Sequence, residues 1–245
     1  ILETMGELHV EIVKDRLVRG YGLNVFLGPL QVAYREVIQT EVEETASVQD
    51  TVDGRTMTTS VTLRIAPDEG AGKWRRLKVA LPPGSRPPRA DWMQGLKEGI
   101  SSSLYHGPLL AFPVYDIAVT LLEIQASGGK VGANMVCAAA HKCMEAALKR
   151  ADARLVEPVM EMEISMPRDC EAHAIMHELT RRRATIEEVA GEDAGENKIC
   201  AQLPLSSLAG LSTSIRTLSR GMAHLHVRLN GHQMIDGGQQ AKMMR

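Results

Sequence analysis

The sequence contains few aromatic residues, and its charges nearly balance. Phe, Trp and Tyr make up only 3% of its 245 residues, whereas hydrophobic residues make up 44%. Its cores must therefore be built from Val, Ile, Leu, Met and Ala, in one large domain or two of ordinary size. With 28 basic and 30 acidic side chains the net charge is −2. This balance gives no general attraction to nucleic acid, so we expect no DNA partner, and any RNA contact must come from a local patch.

The sequence also lacks the patterns of a disulfide scaffold and of a membrane span. Its four cysteines form no CxxC pair, which is typical of free thiols in a reducing compartment. No run of 18 apolar residues occurs, so no membrane partner is expected. The chain starts at Ile1 inside a helical pattern, from which we expect it to be a fragment of a longer protein.

Hydrophobic periodicity divides the chain into four segments and predicts an α+β protein. Residues 1–30 hold one helical stretch and one short apolar strand, so we expect the end of an earlier domain. Residues 31–156 mix strands and helices in an α/β domain. Residues 157–235 follow the order βαββαβ, which is typical of a ferredoxin-like domain. Residues 236–245 are expected to form a disordered tail.

One glycine-rich loop suggests phosphate binding but lacks the full pattern. Gly128, Gly129 and Lys130 resemble the end of a Walker loop. Ile124 stands where that loop needs its first glycine, and Val131 stands where a Ser or Thr would hold magnesium. We therefore expect no nucleotide site and no cofactor in this chain, and no nucleotide hydrolysis by the chain alone.

Two histidine pairs are candidates for metal binding, and both are incomplete. His173 and His177 lie one helical turn apart, a spacing that can seat a metal, but no third ligand is near in sequence. His224 and His226 share one face of a predicted strand, where a solvated edge or a partner contact is the simpler interpretation. The sequence thus predicts neither a metal site nor a catalytic residue.

A cluster of three arginines is the first candidate contact for RNA. Arg181, Arg182 and Arg183 close a predicted helix. Cations at a helix C-terminus complement the helix dipole, and adjacent arginines can also grip phosphates in several directions. The sequence leaves both interpretations open.

A basic stretch at residues 70–90 is the second candidate. It contains Lys73, Arg75 and Arg76 with further cations, an interleaved Trp and no acidic residue. Such a stretch suits a contact that follows an RNA backbone, although charge runs also serve simply as solvated surface.

Several motifs together resemble one family. Two runs each consist of a Gly-Pro turn that leads into an apolar strand. They are Gly-Pro-Leu-Gln-Val-Ala-Tyr-Arg-Glu at 28–36 and Gly-Pro-Leu-Leu-Ala-Phe-Pro-Val at 107–114. Both resemble the fourth domain of the elongation factor G family of translational GTPases. Residues 4–12 are similar to the end of its third domain, and residues 155–160, 179–183 and 218–223 to its fifth domain.

The resemblance implies a domain organisation and which domains would bind GTP and ribosomal RNA. Residues 1–30 would be the end of domain III. Residues 31–156 would form domain IV, which is a ribosomal-protein-like βαβ domain with an unusual crossover. Residues 157–235 would form the ferredoxin-like domain V. GTP and magnesium would belong to a GTPase domain outside this chain. The arginines at 181–183 and the cations Lys73, Arg75 and Arg76 would contact ribosomal RNA.

The tip of the expected fourth domain bears on the branch of the family. Translocating members carry a Ser-Gly-Gly-x-Gly-Gln loop there, whereas this chain has the connector 47–56 and a second loop at 126–132. The expected tip residues are Asp53, Gly54, Arg55, Gly128, Gly129 and Lys130. These departures resemble the branch that recycles ribosomes in the mitochondrial matrix, with the ribosome and the ribosome recycling factor as partners.

Two alternatives stay open at this stage. The chain would also suit a translocase whose tip loops have degenerated, or, from another class, a stand-alone RNA-binding or assembly protein. A Walker motif encoded upstream of Ile1 favours the GTPase interpretations, and a start codon just before Ile1 excludes them.

Overall fold

A computed structural model describes residues 7–26, 31–52, 54–68, 79–191 and 196–244. The chain divides into two compact units, a mixed-sheet unit (Tyr34–Val156 and Met234–Arg245) and an antiparallel-sheet unit (Ile1–Ala33 and Glu157–Gln233). In chain order the elements are α1 (Glu7–Tyr21), β1 (Arg35–Ile38), β2 (Val42–Val52), β3 (Arg55–Pro67), β4 (Val79–Ala80), α2 (Ala90–Ser103), β5 (Ile117–Ser127), α3 (Ala133–Arg150), β6 (Ala153–Pro167), α4 (Ala172–Arg181), β7 (Thr185–Gly191), β8 (Glu196–Pro204), a 3-10 turn (Leu205–Ser207), α5 (Leu211–Leu218), β9 (His224–Met234) and α6 (Gly237–Met243).

The mixed-sheet unit is a four-stranded sheet covered on one face by α2 and α3. The strand order is β2-β3-β5-β4, in which β3 is antiparallel to both neighbours and β4 is parallel to β5. Val61, Leu63 and Ile65 of β3 are fully buried, because alternate residues of a strand face the same side. Buried α3 residues, among them Val136 and Met144, complete this aliphatic and Met-rich core.

Two glycines allow α2 and α3 to approach closely. Gly95 and Gly99 lie four residues apart and therefore share one face of α2. A Cβ atom on Gly95 would lie 2.4 Å from the carbonyl oxygen of Ala133, and one on Gly99 would lie 2.3 Å from that of Cys137. The helix backbones thus touch at positions where no side chain fits.

Replacing Gly99 by Ala is expected to destabilise the mixed-sheet unit by about 2 kcal/mol, because overpacking against backbone outweighs the roughly 1 kcal/mol gain in helix propensity. Urea denaturation measures the difference. Lys97→Ala, at an exposed position of the same helix, is the control and should change stability by less than about 0.5 kcal/mol. If Gly99→Ala were more stable than the wild type, the gain in helix propensity would outweigh the overpacking. It would also mean that α2 and α3 can move apart without a loss of stability.

The antiparallel-sheet unit has the βαββαβ order predicted from the sequence. Its strands are arranged β9-β6-β8-β7, and β8 is antiparallel to both of its neighbours. Alternate residues of β6, such as Met162 and Ile164, form a core with Ile175 and Leu179 of α4 and Ile215 of α5. This is the strand order of a ferredoxin-like domain, and the predicted α+β class is confirmed.

The C-terminal segment differs from the prediction. Residues 236–245 were expected to be disordered, but Gly237–Met243 forms α6. The carboxylate of Asp236 accepts a hydrogen bond from the backbone N–H of Gly238 at the start of this helix. Ile235 is buried, and the side chain of Gln240 accepts a bond from the N–H of Leu155. The Gly-Gly-Gln-Gln composition gives no sign of the bond to Leu155, which lies 85 positions away in sequence.

Candidate functional site

The first tip segment is a tight hairpin rather than the loop expected at 47–56. β2 and β3 pair without interruption from Val42 opposite Ile65 to Val52 opposite Arg55. Only positions 53 and 54 therefore connect the strands. Gly54 has a φ of +72°, as two-residue hairpin turns require. Asp53 lies outside the described residues, and Arg55 is exposed.

The second tip segment lies directly against the first. Ser127 of β5 pairs with Thr58 of β3, so the chain after β5 emerges beside the hairpin turn. Gly128 has a φ of +88°, and a Cβ atom there would lie 2.0 Å from the carbonyl oxygen of Thr56. Gly128 is thus required both by backbone conformation and by contact. Gly129 and Lys130 follow in exposed positions. The structure brings Gly54, Arg55, Gly128, Gly129 and Lys130 to one end of the mixed sheet.

The two Gly-Pro runs singled out in the sequence meet at one buried carboxylate. Glu36 of β1 has no exposed surface. Its oxygens accept hydrogen bonds from the backbone N–H groups of Leu109 and Leu110, both at 2.9 Å, and of Phe112 at 3.2 Å. A Cβ atom on Gly107 would lie 2.3 Å from the same carboxylate, so glycine is required there. Glu36 lies within the first Gly-Pro run, but no local sequence signal marks it as a buried residue.

Arg182 turns inward, unlike a phosphate-binding side chain. Its guanidinium donates to the Glu178 carboxylate at 2.6 Å, to the carbonyl oxygens of Ser207 and Ala209 at 3.0 and 2.6 Å, and to the Ser214 hydroxyl at 3.2 Å. Only 18% of the side chain is exposed. Arg182 therefore joins α4 to the 3-10 turn and to α5.

Arg183 and Arg181 differ from Arg182 in exposure. Arg183 adopts a φ of +66°, makes an ion pair of 3.5 Å with Glu157, and donates to the hydroxyls of Ser206 and Ser207. Glu157 is almost completely buried, so Arg183 balances a buried charge. Arg181 contacts Glu178 but keeps 66% of its side chain exposed. Of the three arginines, Arg181 has the most exposed side chain.

The remaining candidates add no chemistry in the described part of the chain. Lys73, Arg75 and Arg76 lie outside the described residues. Within the described ranges, no three His, Cys, Asp or Glu side chains are grouped so that they could hold a metal ion. None of the helices described is long and apolar enough to cross a membrane.

Two family models match consecutive parts of this chain. Residues 30–152 match the family model described as elongation factor G, domain IV, and residues 154–243 match the one described as elongation factor G C-terminus. The chain belongs to the elongation factor G family.

Several relatives that match the whole chain or nearly all of it are named mitochondrial ribosome-releasing factor 2. Mitochondrial ribosome-releasing factor 2 of Mus musculus and that of Bos taurus are each 33% identical over 100% of this chain, which spans 31% of their length. The Danio rerio protein of that name is 32% identical over 98% of this chain and is likewise spanned over 31% of its length. A crystal structure from Thermus thermophilus matches 98% of this chain and 35% of its own, with a TM-score of 0.79 and 20% identity, which supports the fold.

The nucleotide of the elongation factor G family does not fit the Gly128–Lys130 loop. A phosphate loop offers its backbone N–H groups around an anion. Here Gly128 lies against the backbone of Thr56, and Val131, where a magnesium ligand would stand, is almost fully buried. This loop is a structural contact at the hairpin end of the mixed sheet.

Proposed function

We propose that this chain is the ribosome-binding C-terminal part of a translational GTPase that recycles ribosomes in mitochondria. The observation that carries the proposal is the match over the whole chain to proteins named mitochondrial ribosome-releasing factor 2. Both halves match elongation factor G domains in order, which favours part of a translation factor over a stand-alone RNA-binding protein. The proposal includes the mitochondrial matrix as location, and GTP with magnesium bound by a domain outside these residues.

The proposal assigns the domain IV tip to contacts made between the ribosomal subunits. Arg55 and Lys130 are exposed and stand at the end where the hairpin turn and the second loop meet. Exposed cations at this end of the sheet suit ribosomal RNA phosphates. The short hairpin replaces the glycine-rich loop of translocases, and we assign this end to a contact with the ribosome recycling factor as well.

Of the three clustered arginines, we propose only Arg181 as a contact to ribosomal RNA. Arg181 exposes its guanidinium and suits an RNA phosphate. Arg182 is mostly buried, and Arg183, although 45% exposed, is held by Glu157 and two serine hydroxyls. Lys73, Arg75 and Arg76 stay in the proposal as RNA contacts from sequence alone.

The test is a chimera in which this chain replaces the corresponding C-terminal part of an elongation factor G translocase. We expect the chimera to bind ribosomes and to split them with the recycling factor and GTP, while it fails to move tRNA. The unmodified translocase is the matched control. Co-sedimentation reports binding, light scattering reports splitting, and a tRNA-movement assay reports translocation.

Two outcomes would contradict the proposal in different ways. Normal tRNA movement without splitting would assign the chain to the translocating branch. Failure to co-sediment with ribosomes, with the chimera folded, would reject ribosome binding itself.

A further inference from the structure

The central strand of the mixed sheet presents a row of hydroxyl groups on the face opposite the helices. Thr56, Thr58, Ser60 and Thr62 alternate along β3 with residues of the core. Thr58, Ser60 and Thr62 are half-exposed although β3 has a strand on each side. Solvent therefore reaches the middle of this face, which we call the hydroxyl face.

The neighbouring strand β2 continues the hydroxyl face. Opposite the four β3 residues, the register places Thr51, Gln49, Ser47 and Thr45 in that order, and all four are exposed. The hydroxyl of Thr45 lies 2.9 Å from that of its partner on β3, within hydrogen-bond distance. Every one of these side chains is uncharged and both donates and accepts hydrogen bonds.

The strand on the other side, β5, adds two further uncharged positions. Ser127 and Gln125 pair with Thr58 and Ser60, and both are exposed. The next outward residue is Glu123, which accepts a hydrogen bond from Gln125 at 2.8 Å. The register places Glu123 opposite Thr62, so charge enters this face beside Thr62. The area without charged side chains therefore comprises Thr56, Thr58 and Ser60 with their partners on β2 and β5, together with the Thr45–Thr62 pair on the β2 side.

Two acidic residues of β2, Glu44 and Asp50, lie on the helix side of the sheet and not on the uncharged area. Glu44 pairs with Leu63 in the register and makes an ion pair with Arg150 of α3, so it lies on the helix side. Asp50 pairs with Met57, which also belongs to the helix side. The carboxylates between positions 44 and 51 thus avoid the hydroxyl face.

Strand propensity alone does not account for this composition. Threonine is enriched in strands, which explains part of the row. Serine and glutamine are not among the residues enriched there, and exposed sheet surfaces commonly carry charges that keep proteins soluble. A charge-free area on a chain that is 24% charged calls for a binding partner.

We propose that the hydroxyl face binds the backbone of double-helical RNA through its uncharged hydroxyl and amide groups. Hydroxyls donate to phosphate oxygens and exchange hydrogen bonds with ribose 2′-hydroxyls. No carboxylate pairs with Thr56, Thr58 or Ser60 in the register, so this area does not repel phosphates. The side chains form a regular grid, with steps of about 6.8 Å along a strand and about 4.8 Å between strands. A surface of this kind suits the wide and shallow minor groove of RNA. The inference rests on the proposed ribosome-binding function and names one of its contact chemistries.

The experiment compares the full chain with a variant that carries Thr45→Val, Thr58→Val and Thr62→Val. Valine keeps the shape and the strand preference but removes the hydroxyl. The probes are a fluorescent 20-base-pair RNA duplex and a DNA duplex of the same sequence, titrated to about 100 μM at low salt, since non-specific binding of this kind is weak. Anisotropy reports binding, and circular dichroism reports folding.

We expect the variant to bind the RNA duplex about tenfold more weakly, because three hydrogen-bonding groups are lost. The dependence of binding on salt should stay the same, since no cation has been removed. The preference for RNA over DNA should shrink, because 2′-hydroxyl contacts are lost. The matching serine substitutions at the same three positions keep the hydroxyls and should restore binding.

A control on the same strand separates the hydroxyl face from general effects on β3. Thr59 is buried on the helix side, and its hydroxyl has no hydrogen-bond partner within the described residues. Thr59→Val makes the same chemical change on the opposite face and should leave RNA binding unchanged. Equal weakening by Thr59→Val and by the triple variant would overturn the proposal.

Ribosome co-sedimentation of the same variants distinguishes the other failures. Unchanged RNA binding by a folded triple valine variant, or no binding of the RNA duplex by the wild-type chain, overturns the inference. Ribosome binding by the wild-type chain would then still support the proposed function. Loss of ribosome binding with unchanged duplex binding would instead assign the hydroxyl face to a ribosomal protein.

Discussion

Replacing Glu36 by Ala is expected to lower the free energy of unfolding of the mixed-sheet unit by about 3–5 kcal/mol. The carboxylate is fully buried and accepts hydrogen bonds from the backbone N–H groups of Leu109, Leu110 and Phe112. Removing it leaves three donors without partners, and each buried orphan costs about 1–3 kcal/mol. Partial hydration of the loop relieves some of this, which keeps the total below the simple sum.

Two further variants make the Glu36 result specific. Glu36→Gln keeps the size but turns one acceptor into a donor that faces N–H groups, so we expect an intermediate loss. Glu43→Ala removes an exposed carboxylate paired with Arg64 on β3 and should cost less than about 1 kcal/mol. Urea denaturation measures all three. A loss below about 1 kcal/mol for Glu36→Ala would show that loop 107–112 opens to water without cost.

Replacing Arg182 by Ala is expected to destabilise the antiparallel-sheet unit by about 2–4 kcal/mol. The change removes hydrogen bonds to Glu178, to two carbonyl oxygens and to the Ser214 hydroxyl. Arg182→Lys should recover little, because one ammonium cannot reach partners spread around a planar guanidinium. Arg181→Ala is the matched control, since its exposed ion pair contributes less than about 1 kcal/mol.

The Arg182 effect should depend on pH. The hydrogen bond from Arg182 lowers the pKa of Glu178 below its ordinary value of 4.5, burial opposes the shift, and Arg181 reinforces it. Because the pKa is lower in the folded than in the unfolded chain, this stabilisation is complete above pH 4.5. It disappears as pH falls through the folded pKa. The stability difference between wild type and Arg182→Ala should therefore narrow in acid, and a constant gap would contradict this account.

The sequence predicts the parts of this molecule that depend on local periodicity. The βαββαβ order follows from apolar alternation in strands and from helical spacing, and the family follows from several motifs in order. The hairpin at 47–56 was missed because its strands are polar on one face and end in residues that resemble a loop. Their register against β3 is what reveals them.

The contacts that decide specific roles lie far apart in sequence. Glu36 binds amides 73 to 76 positions away, and no local pattern indicates which of the many carboxylates turns inward. The two interpretations of the arginine cluster differ only in where each guanidinium points. Arg182 finds carbonyl oxygens 25 and 27 positions away, which only the folded chain brings near.

Trp92 of α2 gives experimenters an optical handle on one unit alone. Its indole N–H donates to the carbonyl oxygen of Val131 at 3.1 Å, and the Arg89 guanidinium lies 5.2 Å from its ring. The other tryptophan, Trp74, also precedes position 157, so residues 157–245 contain none. Intrinsic tryptophan emission will therefore follow melting of the mixed-sheet unit but will be blind to the ferredoxin-like residues after 157. The Glu36 variants can be followed by fluorescence, whereas the Arg182 variants need circular dichroism or hydrogen exchange.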